Sequence, residues 1–303
     1  MWPITAPFGL DAIIEFPRRE RSPSDAAAPR LPRVLGRCGT FEIRLAAKKK
    51  DVCKAQRLRY KVFYEQGQAS ARRAAALVRR DLCPFDKICD HLLVIDKEAR
   101  TPRGRTKPKV VGTYRLLRGE VAERHRGFYS QSEFDLAPLL ARHKGKRFLE
   151  VGRSCVHPKY RSKRVIELLW RGLWIYARHH KIDVMIGCAS LPGTNPLALA
   201  LPLSFLRNQA SAAEQWQVRP QLGRAVPMAI IDAAAVESRK GVAALPPLIK
   251  AYLRLGAKFA DGAVIDHEFG TTDVFTIMPI EEIEGRYIAH FGSPGGEKQS
   301  TAA

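Results

Sequence analysis

The residues best suited to chemistry gather in one stretch, 148–171, FLEVGRSCVHPKYRSKRVIELLWR. It reads as a strand carrying a carboxylate (Glu150), a guanidinium (Arg153) and a thiol (Cys155), then a short turn and a helix. A strand–turn–helix of this kind can seat a phosphate at the helix N-terminus, where backbone N–H groups have no intrahelical partner. Phosphate-cradling turns are usually rich in glycine, because the backbone must come close to the anion. Here the turn holds Arg161, Ser162, Lys163 and Arg164, with no glycine. The spacing points to an anion held by cations.

Charge and cysteine usage bound the partners. The chain has 51 Lys and Arg against 30 Asp and Glu, a formal net charge of +21. Such a surface seeks nucleic acid, an anionic membrane or an acidic protein, and charge alone does not choose. Residues 44–80 hold 12 basic against two acidic residues, and residues 142–181 hold 12 against two. If they converge they make one broad positive face; otherwise each is a solvated face. The six cysteines, Cys38, Cys53, Cys83, Cys89, Cys155 and Cys188, form no CxxC pair and no tight Cys/His cluster, so no metal site is expected. No secretory h-region follows Met1, which predicts a reducing cytoplasm and free thiols serving as small apolar residues. Cys155 has only the adjacent His157 beside it, a weak case for a nucleophile.

The elements that must position these residues follow from periodicity. Residues 1–37, rich in Pro, Arg and Ala, predict a mobile basic tail, and 293–303 a flexible C-terminal tail. Between them, 38–292 reads as one domain. TFEIRLA (40–46) alternates like a strand, DVCKAQRLRYKVFYEQG (51–67) has helical spacing, and 66–80 predicts a second, very basic helix. Strands are expected at 90–96, 109–118, 147–156 and 183–190, with a short helix within 127–140 and a strong amphipathic helix over 160–180. Residues 203–255 read as mostly helical, ending at Gly256, and a closing hairpin turns near Gly270. Strands 147–156 and 183–190 should be parallel neighbours joined by a right-handed crossover. Val184–Leu206 is uncharged and long enough to span a bilayer, but Pro192, Pro196 and Pro202 argue against a spanning helix. It predicts a buried strand followed by a proline-rich apolar loop that either lines a groove for an acyl chain or caps the core.

This order resembles the GNAT acyltransferase fold: α/β, a mixed sheet flanked by helices, a single domain with a helical insertion before the C-terminal hairpin. Within it, RLRYKVFYE, FDKICDHLLVID, VVGTYRLLR, GRSCVHPKYRSKR followed by ELLW, and GCAS with PGT resemble bacterial L-ornithine N-alpha-acyltransferases. The resemblance spans nearly all of 38–291. It implies transfer of a 3-hydroxyacyl group from acyl carrier protein to the alpha-amine of L-ornithine, giving lyso-ornithine lipid, with no bound cofactor beyond the phosphopantetheine thioester of the donor. It also implies a cytoplasmic enzyme, peripheral to an anionic membrane and not a nucleic-acid binder. The acyl-homoserine lactone synthases of the same fold share Arg59, Phe63, Asp86, Asp90, Arg115 and the Glu150-x-x-Arg153 pattern. This sequence lacks the tryptophan those enzymes carry after the first helix.

A carrier's phosphopantetheine arm brings one phosphodiester and acidic surroundings, which suit Arg161, Lys163 and Arg164 better than glycines would. The expected reaction is aminolysis of a thioester, helped by proximity and by a backbone N–H polarising the carbonyl. Glu150 is the candidate general base through water, or else an organising partner of Arg153 or Arg115. Arg115 and Arg153 are candidates for the acceptor's carboxylate. Asp86 and Asp90 either receive its side-chain ammonium or cap the turn before strand 90–96. Arg59 and Phe63 belong to the shared substrate-binding pattern. His267, in DHEFG, is a second acid/base option, against the reading that this turn is structural. A lactone synthase-like enzyme and a basic nucleic-acid-binding protein are the alternatives; no zinc finger, RRM signature or KH loop supports the latter.

Overall fold

The computed structural model describes residues 31–67, 69–71, 73–283 and 285. Most of the 1–37 segment, and all of 293–303, lie outside them. Among the described residues the sheet begins at β1 (Gly36–Cys38), which reaches back ahead of residue 38. Leu35 is already buried there, and its N–H donates to the Ile43 carbonyl at 2.8 Å.

From β1 the chain continues through β2 (Phe41–Leu45), α1 (Lys49–Tyr60, extended by one wider helical turn to Glu65) and a short α2 (Arg73–Val78). Next come β3 (Asp90–Asp96), β4 (Lys109–Arg118), α3 (Gly119–Arg124), β5 (Phe134–Asp135) and α4 (Ala137–Arg142). The centre is β6 (Phe148–Val156), α5 (Lys163–His179) and β7 (Val184–Pro192). An insertion follows: α6 (Ala200–Ala210), β8 (Arg219–Pro220), β9 (Ala225–Val226), α7 (Ser238–Ala244) and α8 (Pro247–Leu255). The hairpin of β10 (Lys258–Asp266) and β11 (Thr271–Pro279) follows.

Among the described residues nine strands form one mixed sheet in the order β1-β2-β3-β4-β6-β7-β11-β10-β9, in which β6 and β7 are the parallel pair. Helices cover both faces. The spacing of Val165, Leu168, Leu169, Leu173 and Tyr176 gives α5 one apolar face, which packs with Ile43, Leu92 and Val94 of the sheet. On the opposite face Ala55, Leu58 and Val62 pack on Leu93, Ile95 and Val110. Burying each such side chain contributes about 1.5–3 kcal/mol.

Three expectations change. The second basic helix shrinks to the six residues of α2. The 203–255 segment is helical only in parts, because Pro220, Gly223 and Pro227 break 211–237 into turns and two-residue strands. The loop expected after strand 183–189 is shorter: β7 runs on to Pro192, and α6 starts at Ala200, with Pro202 in its first turn, where a missing N–H costs nothing. Among the described residues no helix is long and apolar enough to cross a membrane.

Candidate active site

The site arises where the central strands part. β6 and β7 pair only through Phe148↔Val184, Leu149↔Met185 and Glu150↔Ile186. At the last close contact stands Gly187, where a Cβ would lie 2.3 Å from the Val151 carbonyl oxygen. Glycine is required there by close approach. Beyond it β6 carries a bulge: Arg115 faces Gly152 and Thr113 faces Cys155, so Arg153 and Ser154 together oppose Tyr114. Arg153 takes up the bulge with φ 51°, a left-handed conformation uncommon for a side-chain-bearing residue and costing about 1 kcal/mol or more. The wedge opened between the strands is a cavity of about 470 Å³, walled by Gly152, Arg153 and Ser154 on one side and Cys188, Ala189 and Pro192 on the other.

Two guanidiniums face this space. Arg115 and Arg153 both line it and lie 5.0 and 5.1 Å from the centre of the Tyr129 ring. Arg153 Nη2 donates to the Tyr129 hydroxyl at 3.3 Å, and its guanidinium lies 4.2 Å from the centre of the Phe269 ring. Behind them Asp81 and Asp86 set their positions, with Arg153 Nε 3.9 Å from Asp81 and Arg115 Nη1 3.7 Å from Asp86. With Arg59 also bound to these two aspartates, three arginines over two aspartates leave the wall net cationic, a surface for a carboxylate or an oxyanion. Phe63 lines the cavity and meets Phe269 edge-on at 5.8 Å, where sequence placed it among the binding residues.

Other expected residues take different places. Arg59 is fully buried, its Nε bound to Asp81 at 2.7 Å and its Nη2 to Asp86 at 2.5 Å, behind the cavity wall. Asp86 also accepts from Gln56 Nε2 at 2.8 Å. Burial would raise the Asp86 carboxyl, but Arg59, His91 and Arg115 hold it well below the usual carboxylate range. Its charge is thus paired inside the protein, and Asp86 is not among the residues that line the cavity. Asp90 accepts from the Tyr176 hydroxyl of α5 at 2.8 Å, away from the cavity lining. His267 is exposed on the β10–β11 turn and is not part of the lining, although its neighbours Asp266 and Phe269 are.

Glu150 lines the cavity but is not free. Oε2 accepts from the Tyr129 N–H at 2.8 Å, and Oε1 from the Ser130 N–H at 2.8 Å and the Ser130 hydroxyl at 2.5 Å. Its expected partners Arg115 and Arg153 are absent from that set. The carboxylate anchors the 129–132 turn and, through it, the ring between the two arginines. A base acting here would have to use the one remaining acceptor site, on Oε2.

Sequence reasoning missed Tyr129, Tyr252, Asp266 and Asp273, all of which line the cavity, and Glu133 beside it. A signal was present for Asp273, a lone carboxylate inside the otherwise buried strand TTDVFTIMP. Tyr252 of α8 lies 2.7 Å from the Tyr114 hydroxyl, and burial raises both phenols, so the pair stays protonated.

The expected donor cations are all exposed: Arg161, Lys163 and Arg164 at the start of α5. Arg161 Nε donates to the Val156 carbonyl at 3.3 Å, and Lys163 pairs with Glu167 at 3.7 Å. Sequence-distant cations converge beside them. The imidazole of His157 is pushed down by burial first and then by Lys109, Lys61, Lys159 and Arg161. Residues from α1, β4 and the turn thus share one positive rim.

The acetyltransferase (GNAT) domain family matches residues 58–171. The chain is similar to an L-ornithine N(alpha)-acyltransferase of Agrobacterium fabrum, 49% identical over 89% of this chain and 92% of that protein. It is also similar to one of Rhodobacter capsulatus, 38% identical over 82% of this chain and 93% of that protein. Among solved structures, that of FeeM, an N-acyl amino acid synthase from uncultured soil microbes, aligns with 83% of this chain and 98% of its own at 12% identity and a TM-score of 0.47.

Proposed function

The chain belongs to the L-ornithine N(alpha)-acyltransferase family, and from that premise we propose that it moves a 3-hydroxy fatty acyl group from acyl carrier protein to the alpha-amine of L-ornithine, giving lyso-ornithine lipid. The observation that carries this reading is the wedge between β6 and β7, with Arg115 and Arg153 on its wall. A thioester laid along the parted edge of β6 meets backbone N–H groups that no longer pair with β7, and these can polarise its carbonyl. Arg153 holds the acceptor's carboxylate, with Arg115 adding positive potential behind it. The alpha-amine loses a proton and attacks the carbonyl carbon; the C–N bond forms, the C–S bond breaks, and the departing sulfur takes up a proton. Holding amine and thioester together supplies much of the rate, without a covalent enzyme intermediate.

The carrier is favoured as donor because the rim of the site is cationic. Arg161, Lys163 and Arg164, with Lys61, Lys109 and Lys159, suit one phosphodiester and an acidic protein around it. An acylated amino acid belongs in a bilayer, and peripheral contact with an anionic membrane fits the exposed Leu77 and Leu197, at 79% and 76% exposure. Both follow chain segments that line the cavity, at Ala69 and Pro192.

The test is thiol release by the purified chain, offered 3-hydroxypalmitoyl carrier protein or the matching coenzyme A thioester, each with L-ornithine or S-adenosylmethionine, with mass spectrometry of the product. Ornithine-dependent release from the carrier thioester, giving N-acyl-ornithine, supports the reading. Release only with S-adenosylmethionine would assign the chain to lactone synthesis.

A further inference from the structure

The cavity holds carboxylates that the reaction above does not use. Asp266 and Asp273 line it, and ligand atoms of Glu133, Cys188 and Asp273 all lie within 4.8 Å of one another. Glu133 is 3% exposed and Asp273 6%. Asp273 accepts the Thr271 hydroxyl on Oδ1 at 2.8 Å and is also hydrogen-bonded to Ser190; Glu133 is hydrogen-bonded to Cys188, but its buried Oε2 has no hydrogen-bond partner. Among the described residues neither carboxylate makes an ion pair. Arg153 of β6 acts on Asp273 and Arg224, ahead of β9, on Glu133, both only at longer range. Folded proteins seldom leave a buried carboxylate oxygen unpaired, as Glu133 Oε2 is, and two carboxylates side by side hold either a shared proton or a cation between them.

We propose that Glu133 and Asp273, with Asp266 beside them, form the pocket that takes the side-chain ammonium of a diamino-acid acceptor and so selects a cationic over an apolar side chain. This rests on the acyl-acceptor reading of the same cavity. An ammonium offers three N–H donors, which the empty Glu133 oxygen and the Asp273 carboxylate can accept. Arg153 gives the cavity a positive wall and the acids a negative end, matching a ligand with a carboxylate at one place and an ammonium at another. The arrangement also explains which amine would react. An anionic pocket keeps the side-chain amine protonated and unreactive, while the alpha-amine, near the cationic wall, gives up its proton more readily.

The groups facing the pair are Asp266 of β10, Cys188 and Ser190 of β7, Thr271 of β11, Tyr129 of the 129–132 turn, and the two arginines. Burial raises both carboxyls, and Asp273 and Asp266 add to this at Glu133. A cation arriving there therefore drives a proton off the pair.

Titration calorimetry on the full chain with L-ornithine and with L-norvaline, which lacks the terminal amine, tests the pocket without needing turnover. The expected result is ornithine binding about 10²-fold tighter than norvaline, as a charge-assisted contact would give. Proton release should appear as a dependence of the heat on buffer ionisation near neutral pH. Asp273→Asn and Glu133→Gln should each shrink both signals; two variants guard against one misfolding, and thermal melting checks each. Equal affinities in the unaltered chain, or variants that keep the preference and the proton release, would overturn the pocket. So would Zn²⁺ or Mg²⁺ binding lost in Asp273→Asn while ornithine binding is unaffected. Ornithine preference without thioester aminolysis upholds the pocket and removes only the acyl reaction. Aminolysis with equal kcat/KM for the two amino acids keeps the reaction and overturns the pocket.

Discussion

Arg59 illustrates how a single buried charge organises this site without touching it. Its guanidinium is fully buried against Asp81 and Asp86, which in turn stand behind Arg153 and Arg115. Removing one member of such a set leaves the others charged and unpaired, so Asp86→Asn is expected to cost about 3–5 kcal/mol in denaturant unfolding. Because the folded Asp86 carboxyl sits below its ordinary value, its stabilisation is present above the usual carboxylate range and is lost as the pH falls below it. Glu133 and Asp273 have the opposite sign. Their carboxyls are raised, so the folded chain retains protons that the unfolded chain has released. Stability contributed by this pair therefore falls as the pH rises from the usual carboxylate range toward neutrality, and levels off above. Asp273→Asn should flatten that slope in unfolding free energies measured across the window, and should raise stability at its upper end. Glu150→Gln separates an anchor from a base. Replacing the Oε2 acceptor by an NH2 group that faces the Tyr129 N–H should cost about 1–3 kcal/mol and lower kcat/KM by displacing Tyr129, with the pH profile keeping its shape; loss of the profile's ascending limb would mark Glu150 as the base. At this scale residue type was legible and direction was not. Arg115, Arg153 and Phe63 line the cavity, whereas Asp86 and Arg59, singled out with them, pair with each other behind its wall.

At the scale of elements the site depends on where two strands stop pairing. Phe148–Glu150 hold β7 in register, and the bulge at Arg153 and Ser154 then turns β6 away from it. Gly187 sits at the hinge, with no room for a methyl group beside the Val151 carbonyl. Gly187→Ala is therefore expected to cost about 1–3 kcal/mol as an overpacked contact. It should also raise KM for the acyl donor, since the wedge must re-form around a displaced β7; paired denaturation and thiol-release measurements check the two effects together. The strands and α5 were readable because alternation and helical spacing persist over whole elements, as in KVVGTYRLLR and in the α5 sequence. Gly256 caps α8 with φ 92°, as its place after the last apolar residue implied. The bulge was not readable, because nothing in FLEVGRSCV marks Arg153 as left-handed; only the pairing with β4 imposes it. Residues 211–237 misled for another reason: an alanine-rich composition suits helices, but the apolar residues there, among them Trp216, Val218 and Met228, are buried from turns and short strands.

For the whole molecule the decisive quantity is the distribution of its +21 charge. Two basic segments far apart in sequence were legible as runs, and their meeting was not, since it depends on α1 and β4 lying beside the turn before α5. Lys61 of the first run and Lys159 and Arg161 of the second, with Lys109 of β4, all act on the imidazole of His157. A rim of this kind, exposed and lightly paired, acts on encounter more than on the bound state. It should therefore discriminate donors by the charge of what carries the thioester. Reversing Arg161 and Lys163 together to glutamate is expected to raise KM for a carrier-protein thioester about tenfold or more, with kcat little changed. KM for a short pantetheine thioester, which has no acidic protein around it, should move far less. Raising ionic strength from about 0.05 to about 0.5 M should reproduce the same asymmetry in the unaltered chain, since it shortens the screening length to a few ångströms. If both donors responded equally to the reversal, the rim would be reading only the arm that they share. The carrier's own surface would then contribute nothing to recognition, and the excess of basic residues would have to be assigned to another anionic partner, such as a membrane surface.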